Sequence, residues 1–135
     1  MIKTIDTLKT GRKPLKRTNK NIRLIIGALL DKRAHDIIVL DVRKISGITD
    51  FIIVAGGSSD RQLKTIADNV ISSFKPRPLG QEGLTAPSSR WIVIDYGDMI
   101  IHLIHDDLRL YYNIEGLWPD AKELLVESSF EKKSF

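Results

Sequence analysis

The chain has 135 residues, of which 42% are hydrophobic and 28% are charged, a composition typical of one folded domain with a single core. It contains no cysteine, which excludes disulfides, zinc–thiolate sites and cysteine nucleophiles. It contains no run of about 18 uncharged apolar residues and no apolar stretch near its start that resembles a secretory signal. We therefore expect a cytoplasmic protein that does not contact a membrane.

The net charge of +4 is unevenly distributed along the chain. Residues 1–20 contain seven basic side chains and one acidic side chain, whereas the remaining residues contain 14 basic and 16 acidic ones. Such an arm is suited to contact nucleic-acid phosphates, and the alternative is a solubilising tail. We expect residues 1–18 to form a flexible basic arm, residues 19–127 a single α/β domain, and residues 128–135 a frayed tail. The candidate RNA contacts in the arm are Arg12, Lys13, Lys16 and Arg17.

The first predicted helix follows the arm, with Thr18 or Asn19 as its N-cap. Its apolar residues recur at helical spacing on one stripe, and they are Ile22, Ile25, Ile26, Leu29 and Leu30. Residues 37–42 and 51–55 are short segments rich in branched side chains, which predicts two strands. The second of these strands is apolar throughout, so we expect both of its faces to be covered.

A glycine-serine turn over residues 56–59 precedes the second predicted helix. Ser59 and Gln62 have the spacing of a capping box, in which the serine oxygen accepts a hydrogen bond from the third helical amide. Pro76 and Pro78 end this helix, because proline removes a donor and restrains the residue before it. The alternative role of the turn is an anion site, since the first amides of a helix are unpaired. However, the turn matches neither of the glycine-rich phosphate motifs.

The second half of the chain begins with a predicted loop over residues 75–90. Residues 91–95 and 99–104 read as strands, and the link between them is too short for a crossover, so we expect an antiparallel hairpin. We expect Asp106 to cap a short third helix and residues 121–126 to add a last helical turn. The order of elements predicts an α/β fold with a mixed sheet and helices packed on it.

Several polar and aromatic side chains near the hairpin are candidates for chemistry or binding. Asp95 and Asp98 lie three residues apart across a tight turn, where carboxylates serve the turn better than they would serve a metal pair. His102 and His105 are expected on opposite strand faces, so they should not share a metal ion. We assign His102 to a contact surface. Trp91 is either a core residue or an exposed anchor for a partner, and both interpretations stay open.

Taken together, these residues resemble the ribosomal silencing factor family, also called the Iojap family. The resemblance covers residues 21–120, nearly all of the chain except the arm and the tail. In the first half it is carried by residues 30–34, Asp36, 40–42, 49–55, Gly57, Ser59, Arg61, Gln62 and 66–70. In the second half it is carried by Trp91, 95–98, His102, Arg109, Tyr111, Tyr112, Glu115, Leu117 and Trp118.

The resemblance implies a nucleotidyltransferase-like fold without the catalytic residues, and therefore a protein that is not an enzyme and needs no metal or cofactor. It also implies binding to large-subunit ribosomal protein fourteen on the intersubunit face, which blocks association with the small subunit and represses translation. The implied docking surface consists of Trp91, Asp95, Tyr96, Asp98, His102, Tyr112, Leu117 and Trp118.

Within this implied surface, different side chains take different roles. Trp91 and Tyr96 would be apolar anchors. Asp95 and Asp98 would accept hydrogen bonds from basic ribosomal side chains, and His102 would be a donor at the rim. Ribosomal RNA lies near any docked copy, so the basic arm is expected to contact its phosphates. Whether the free chain forms a homodimer is left open.

Two alternatives from other classes are carried forward. The first is a magnesium-dependent nucleotidyltransferase-type enzyme that uses residues 56–58 and a carboxylate. The second is an RNA-binding adaptor that acts through the basic arm.

Overall fold

Six strands and three α-helices are present in the computed structural model, which describes residues 14–85 and 89–124. In chain order they are α1 (Pro14–Asp31), β1 (His35–Asp41), β2 (Phe51–Gly57), α2 (Asp60–Ser73), β3 (Gly80–Glu82), β4 (Trp91–Asp95), β5 (Met99–His105), α3 (Asp106–Tyr111) and β6 (Lys122–Leu124). A 3-10 helix, Ile114–Leu117, lies between α3 and β6. Within these described ranges, no helix is long and apolar enough to cross a membrane.

The strands form one sheet in the order β3-β4-β5-β2-β1-β6. Its central pair, β2 and β5, is parallel, with Ile53 opposite Ile101. All other neighbouring strands are antiparallel. The mixed sheet and the antiparallel β4–β5 hairpin that the sequence predicts are therefore confirmed. Parallel strands need a long crossover, and here the crossover contains α2, β3 and β4.

The larger core lies between the sheet and the two long helices. Ile25 and Leu29 of α1 and Leu63 and Ile66 of α2 are fully buried in it, which confirms the predicted helical stripes. Burial of one such aliphatic side chain contributes about 1.5–3 kcal/mol. These contacts therefore hold both helices on one face of the sheet. All seven residues of β2 are buried, as the apolar run in that strand predicts.

A smaller core lies on the opposite face of the sheet. Its buried members are Leu40, Val42, Ile52, Val54 and Ile104, and the partly buried residues packed against them include Leu108, Trp118 and Ala121. The segment from α3 to β6 thus covers β1, β2 and the end of β5. It leaves the β4 side of this face less covered, since the outward residues of β4 are only half-buried.

The start of α2 is tied to the end of α1 by a single glutamine. Ser59 Oγ accepts a hydrogen bond from the Gln62 amide at 3.0 Å, which confirms the predicted cap. The Gln62 side chain accepts from the Ser58 amide at 2.8 Å. Its Nε2 donates to the carbonyl oxygens of Lys32 and Arg33, both at 3.1 Å. Gln62 therefore closes the helix start and fixes the turn after α1 beside it.

Two predictions about the strands are wrong. Residues 121–126 were expected to be helical, but Lys122–Leu124 is a strand that pairs with β1 at the sheet edge. The predicted loop over residues 75–90 contains β3, which pairs with β4. Both strands are only three residues long, and they are stabilised by a neighbouring strand that the local pattern does not reveal.

Two helix starts also differ from expectation. α1 begins at Pro14, a residue favoured at the first helical position because its missing N–H is not needed there. Asp106 is not the N-cap of α3, since His105 Nδ1 accepts the hydrogen bond from the Asp107 amide at 3.1 Å. Asp106 instead contacts His35 Nε2 at 2.7 Å. The boundaries of the arm and the tail stay predictions.

The Gln62→Ala substitution should lower the free energy of unfolding by about 1 kcal/mol, because it removes three hydrogen bonds to backbone groups that water can partly replace. Urea denaturation followed by circular dichroism measures this change. Arg61→Ala, at the adjacent exposed position, is the matched control and should change stability by less than about 0.5 kcal/mol. Equal effects of the two substitutions would contradict the role given to Gln62.

Candidate functional site

The sheet face opposite α1 and α2 is partly uncovered where β4 and β5 meet. Side chains alternate along a strand, so the residues of this face are Trp91, Val93 and Asp95 of β4, with Ile100 and His102 of β5. All five are half-buried, whereas the neighbours that point to the helices are fully buried. We call these five residues the open sheet face. Their cross-strand pairing, with Val93 opposite His102 and Asp95 opposite Ile100, makes them one continuous surface.

Three aromatic side chains, those of Trp91, His102 and Trp118, lie close together on this surface. The ring centroid of His102 lies 5.9 Å from that of Trp91 and 5.8 Å from that of Trp118. Trp91 and Trp118 both also pack against the smaller core. Trp91 therefore packs against the core and is also partly exposed to solvent, and its role as an anchor for a partner stays a prediction.

His102 is held in one protonation state by its surroundings. Trp91 Nε1 donates a hydrogen bond to His102 Nδ1 at 3.0 Å. An indole N–H only donates, so Nδ1 must be unprotonated and the ring proton lies on Nε2. Burial lowers the pKa of His102 below its usual value of 6.5, since desolvation disfavours the charged ring. A neutral histidine with its donor on Nε2 fits the rim-donor role that the family resemblance implies.

The two aspartates of the hairpin take part in its turn. Asp95 Oδ1 accepts a hydrogen bond from the Gly97 amide at 2.8 Å, and the Asp98 side chain is exposed. Gly97 has a φ of +89°, which favours glycine. The Asp95 carboxylate therefore serves the turn, and it also contributes a negative charge to the open sheet face.

Tyr96 lies on the other side of the sheet. Its ring packs edge-on against Phe74, with centroids 4.9 Å apart, beside the core under the helices. Its hydroxyl is buried and has no hydrogen-bond partner in the described part of the chain. Burial raises the pKa of Tyr96 to about 12. The structure therefore brings Trp91, Asp95, His102 and Trp118 together but separates Tyr96 from them.

A strip of exposed apolar side chains follows β5. Leu110, Tyr111, Tyr112 and Leu117 are all more than half exposed. The docking surface implied by the resemblance includes Tyr112 and Leu117. It does not include Leu110 or Tyr111, nor Val93 and Ile100 of the open sheet face. Strict alternation from Trp91 could have revealed Val93, because alternate residues of a strand share one face. No local signal distinguishes Leu110, whose helix simply buries none of its residues.

The glycine-serine turn over residues 56–59 is explained by packing. A Cβ on Gly57 would lie 2.8 Å from Leu63 Cδ2, and one on Gly56 would lie 3.0 Å from Asp106 Oδ1. The amides of Ser58 and Gln62 already donate to side chains. A larger residue at either position would have to displace the Leu63 or Asp106 side chain, so the local packing favours glycine, and two of the amides that an anion would use are occupied.

A polar cluster lies at the carboxyl ends of β2 and β5, where open α/β sheets commonly bind ligands. His35, Asp36 and Asp106 place one potential metal-ligating atom each within 4.8 Å of one another. Arg109 enters the same cluster and donates to the Asp36 carbonyl oxygen at 2.6 Å. A guanidinium this close opposes a cation, so the cluster is best described as an anchor of α3 on β1.

Basic residues are concentrated on α1, α2 and the turns that follow them, whereas acidic residues are concentrated on the rest of the domain. Residues 20–33 and 60–77, which we call the helical layer, contain eight basic and three acidic side chains. The other described residues, 34–59, 78–85 and 89–124, contain five basic and eleven acidic ones. Because α1 and α2 cover one sheet face, the open sheet face belongs to the acidic part of the molecule.

The side chains of the four candidate RNA contacts lie outside the part of the chain that the structure describes. Arg12 and Lys13 lie outside the described residues. Lys16 and Arg17 fall within the span of α1, and their side chains are also outside the described part.

Comparison with known proteins decides the family. The family described as "Ribosomal silencing factor during starvation" matches residues 15–134. The chain belongs to this ribosomal silencing factor family. One relative is the Ribosomal silencing factor RsfS of Halalkalibacterium halodurans, which is 34% identical over 107 residues, 78% of this chain and 92% of the relative.

Two further proteins are similar to this chain. A crystal structure of a Chromobacterium violaceum protein has a TM-score of 0.69 and 35% identity, covering 75% of this chain and 85% of that one. The mouse protein named "Mitochondrial assembly of ribosomal large subunit protein 1" is 26% identical over 102 residues, 73% of this chain and 45% of the mouse protein. The predicted family and the α/β fold are therefore confirmed.

The Tyr96→Phe substitution should leave the free energy of unfolding unchanged or raise it by up to about 1 kcal/mol, since it removes a buried hydroxyl that has no partner. Urea denaturation at neutral pH measures the change. A loss of more than about 1 kcal/mol would show that the hydroxyl has a stabilising partner. Tyr96→Ala is the control, and it should be strongly destabilising because it removes the ring that packs on Phe74.

His102 should make the stability of the fold depend on pH. Because its pKa is lowered in the folded state, the stabilisation by neutral His102 is complete above about pH 6.5 and is lost as the pH falls through the lowered pKa. Urea denaturation between about pH 7.5 and pH 5 measures this dependence. The difference between the wild type and His102→Asn isolates this residue from the other titrating groups. Parallel pH profiles of the two proteins would contradict the assignment.

Proposed function

We propose that this chain binds the large ribosomal subunit through its open sheet face and blocks association with the small subunit, which represses translation. Large-subunit ribosomal protein fourteen is the proposed partner, as the family resemblance implies. Two names support a role on the ribosome: the Halalkalibacterium relative is named a ribosomal silencing factor, and the name of the mouse relative refers to assembly of the large subunit.

The observation that carries the proposal is the open sheet face itself. One face of an antiparallel sheet is usually packed on the core and the other is polar. Yet Trp91, Val93 and Ile100 are half-buried apolar residues, and they lie on the face opposite the two long helices of the described chain. Aromatic and aliphatic side chains at the centre of a contact contribute most of the binding energy of typical interfaces. The proposed surface also includes Tyr112 and Leu117, which are both exposed, and Leu117 directly precedes Trp118 in the chain.

The charge of the surroundings supports a basic partner. The part of the molecule that carries the open sheet face has eleven acidic and five basic residues. Complementary charges increase the rate of association and select against wrong partners. Asp95 on the open sheet face and Asp98 in the adjacent turn are the acidic residues we assign to contacts with basic ribosomal side chains.

We propose further that the chain is not an enzyme. The names of the relatives describe regulation, and the turn over residues 56–59 is explained by capping and packing. Contact between the basic arm and ribosomal RNA, a homodimer of the free chain, a cytoplasmic location and the likeness to nucleotidyltransferases stay predictions.

Two substitutions test the docking surface without disturbing the core. Asp95→Asn keeps the oxygen that accepts from Gly97 but removes the charge, and Leu117→Ser removes an apolar side chain that is 61% exposed. Each should weaken binding to the isolated large subunit about fivefold to tenfold, and the double variant more than either. Cosedimentation with large subunits measures binding, and sucrose-gradient analysis of subunit joining measures function.

Matched controls lie on the helical layer. Asp68→Asn removes an exposed carboxylate, and Leu24→Ser removes a leucine that is 51% exposed. Both controls should block subunit joining as well as the parent protein. If the Asp95 and Leu117 variants also block joining at unchanged concentration, the open sheet face is not the docking surface.

A further inference from the structure

We propose that the solvent side of the helical layer is a second binding surface, which contacts the phosphates of structured RNA while the open sheet face contacts protein. The inference rests on the proposed function, because ribosomal RNA surrounds a copy that is docked on the large subunit. It differs from an RNA contact by the arm, since it uses side chains on the folded domain.

The first support is the number and exposure of the charges. Of the eight basic side chains in the helical layer, seven are exposed, and they are Lys20, Arg23, Lys32, Arg33, Arg61, Lys75 and Arg77. Only three acidic residues share the layer. The resulting excess of positive charge faces away from the sheet, because the apolar sides of both helices are buried against it.

The second support is that the fold concentrates these charges. Gln62 bonds to the backbone of Lys32 and Arg33, so the turn after α1 lies directly beside Arg61 in the first turn of α2. A second link between the helices, from Asn69 Nδ2 to the Ala28 carbonyl at 2.8 Å, fixes their relative orientation. The backbone of Lys32 and Arg33 is therefore held one residue away from Arg61, although Arg61 lies 28 residues beyond Arg33 in the chain.

The third support is the contrast with the opposite side. If positive charge served solubility alone, it would be expected on all surfaces, yet the rest of the described domain is net acidic. A molecule with one basic and one acidic side can satisfy two partners of opposite charge. Arginine and lysine contacts to phosphates give affinity without sequence specificity, which suits an RNA backbone beside a protein docking site.

The test compares charge reversals on the two sides of the full-length protein. The variant Arg23→Glu/Arg61→Glu changes the helical layer, and the control Lys44→Glu/Lys122→Glu changes two exposed basic residues elsewhere. Fluorescence anisotropy with a labelled RNA duplex of about 20 base pairs, between about 50 and 200 mM salt, measures affinity and its salt dependence. Circular dichroism confirms that both variants are folded.

The helical-layer variant should bind the duplex about tenfold more weakly than the parent at low salt, and the slope of log K against log salt should fall by about two, one for each lost phosphate contact. The control should retain the parent affinity and slope. A variant lacking residues 1–13 separates the arm from the layer, since the layer reversal should still weaken binding in that background.

The outcomes separate this inference from the proposed function. Binding to isolated ribosomal protein fourteen should be lost with Asp95→Asn/Leu117→Ser and kept with Arg23→Glu/Arg61→Glu, whereas duplex binding should show the opposite pattern. Equal duplex binding by the parent and the layer variant overturns the inference. The inference is also overturned if the parent binds no duplex and the layer variant nevertheless loses binding to the large subunit. That result would indicate that the helical layer contacts an acidic protein. Neither result affects the docking role of the open sheet face.

Discussion

The parallel pairing of β2 with β5 is the constraint on which the other features of this domain depend. Every residue of β2 is buried, so both faces of the central sheet need a cover. The long crossover that parallel strands require supplies α2, which covers one face together with α1. Among the residues that the structure describes, the other face is covered by the shorter segment that follows β5. The open sheet face exists because these two covers are unequal.

The open sheet face combines apolar surface with satisfied polar groups. Trp91 and His102 pair their nitrogens with each other, so neither buried nitrogen carries an unpaired cost. The rings can therefore remain half-buried in the free protein and become fully buried by a partner. An exposed apolar surface is characteristic of a binding site. In the proposed contact, the aromatic residues would supply most of the binding energy, and the aspartates would contribute orientation and rate.

The separation of basic and acidic residues gives the molecule two sides of opposite charge. The helical layer is basic and the remainder is acidic, and the sheet between them keeps the two charge sets apart. Asp95 lies on the sheet face opposite α1 and α2, an arrangement that suits the two proposed partners, a basic protein and an RNA backbone. The polar cluster of His35, Asp106 and Arg109 has a different role, because it holds α3 in the position from which the apolar strip extends.

Much of this protein was determined by local sequence. The stripe of α1, the capping serine of α2, the apolar run of β2 and the tight hairpin were all predicted, since each depends on spacing or on a neighbour a few residues away. The docking residues that the family resemblance implies stay a prediction, whereas the alternation of side chains was sufficient to separate His102 from its neighbours.

Only the tertiary structure decided the remaining features, because they depend on contacts between distant segments. β3 and β6 exist through their pairing with β4 and β1. Tyr96 lies one residue beyond β4 and faces the helices, so the resemblance placed it in the docking set while Phe74 holds it on the other side. For Trp91, the sequence determined a residue type suited to an anchor. The half-covered face on which it lies was decided by how far the chain after β5 extends across the sheet.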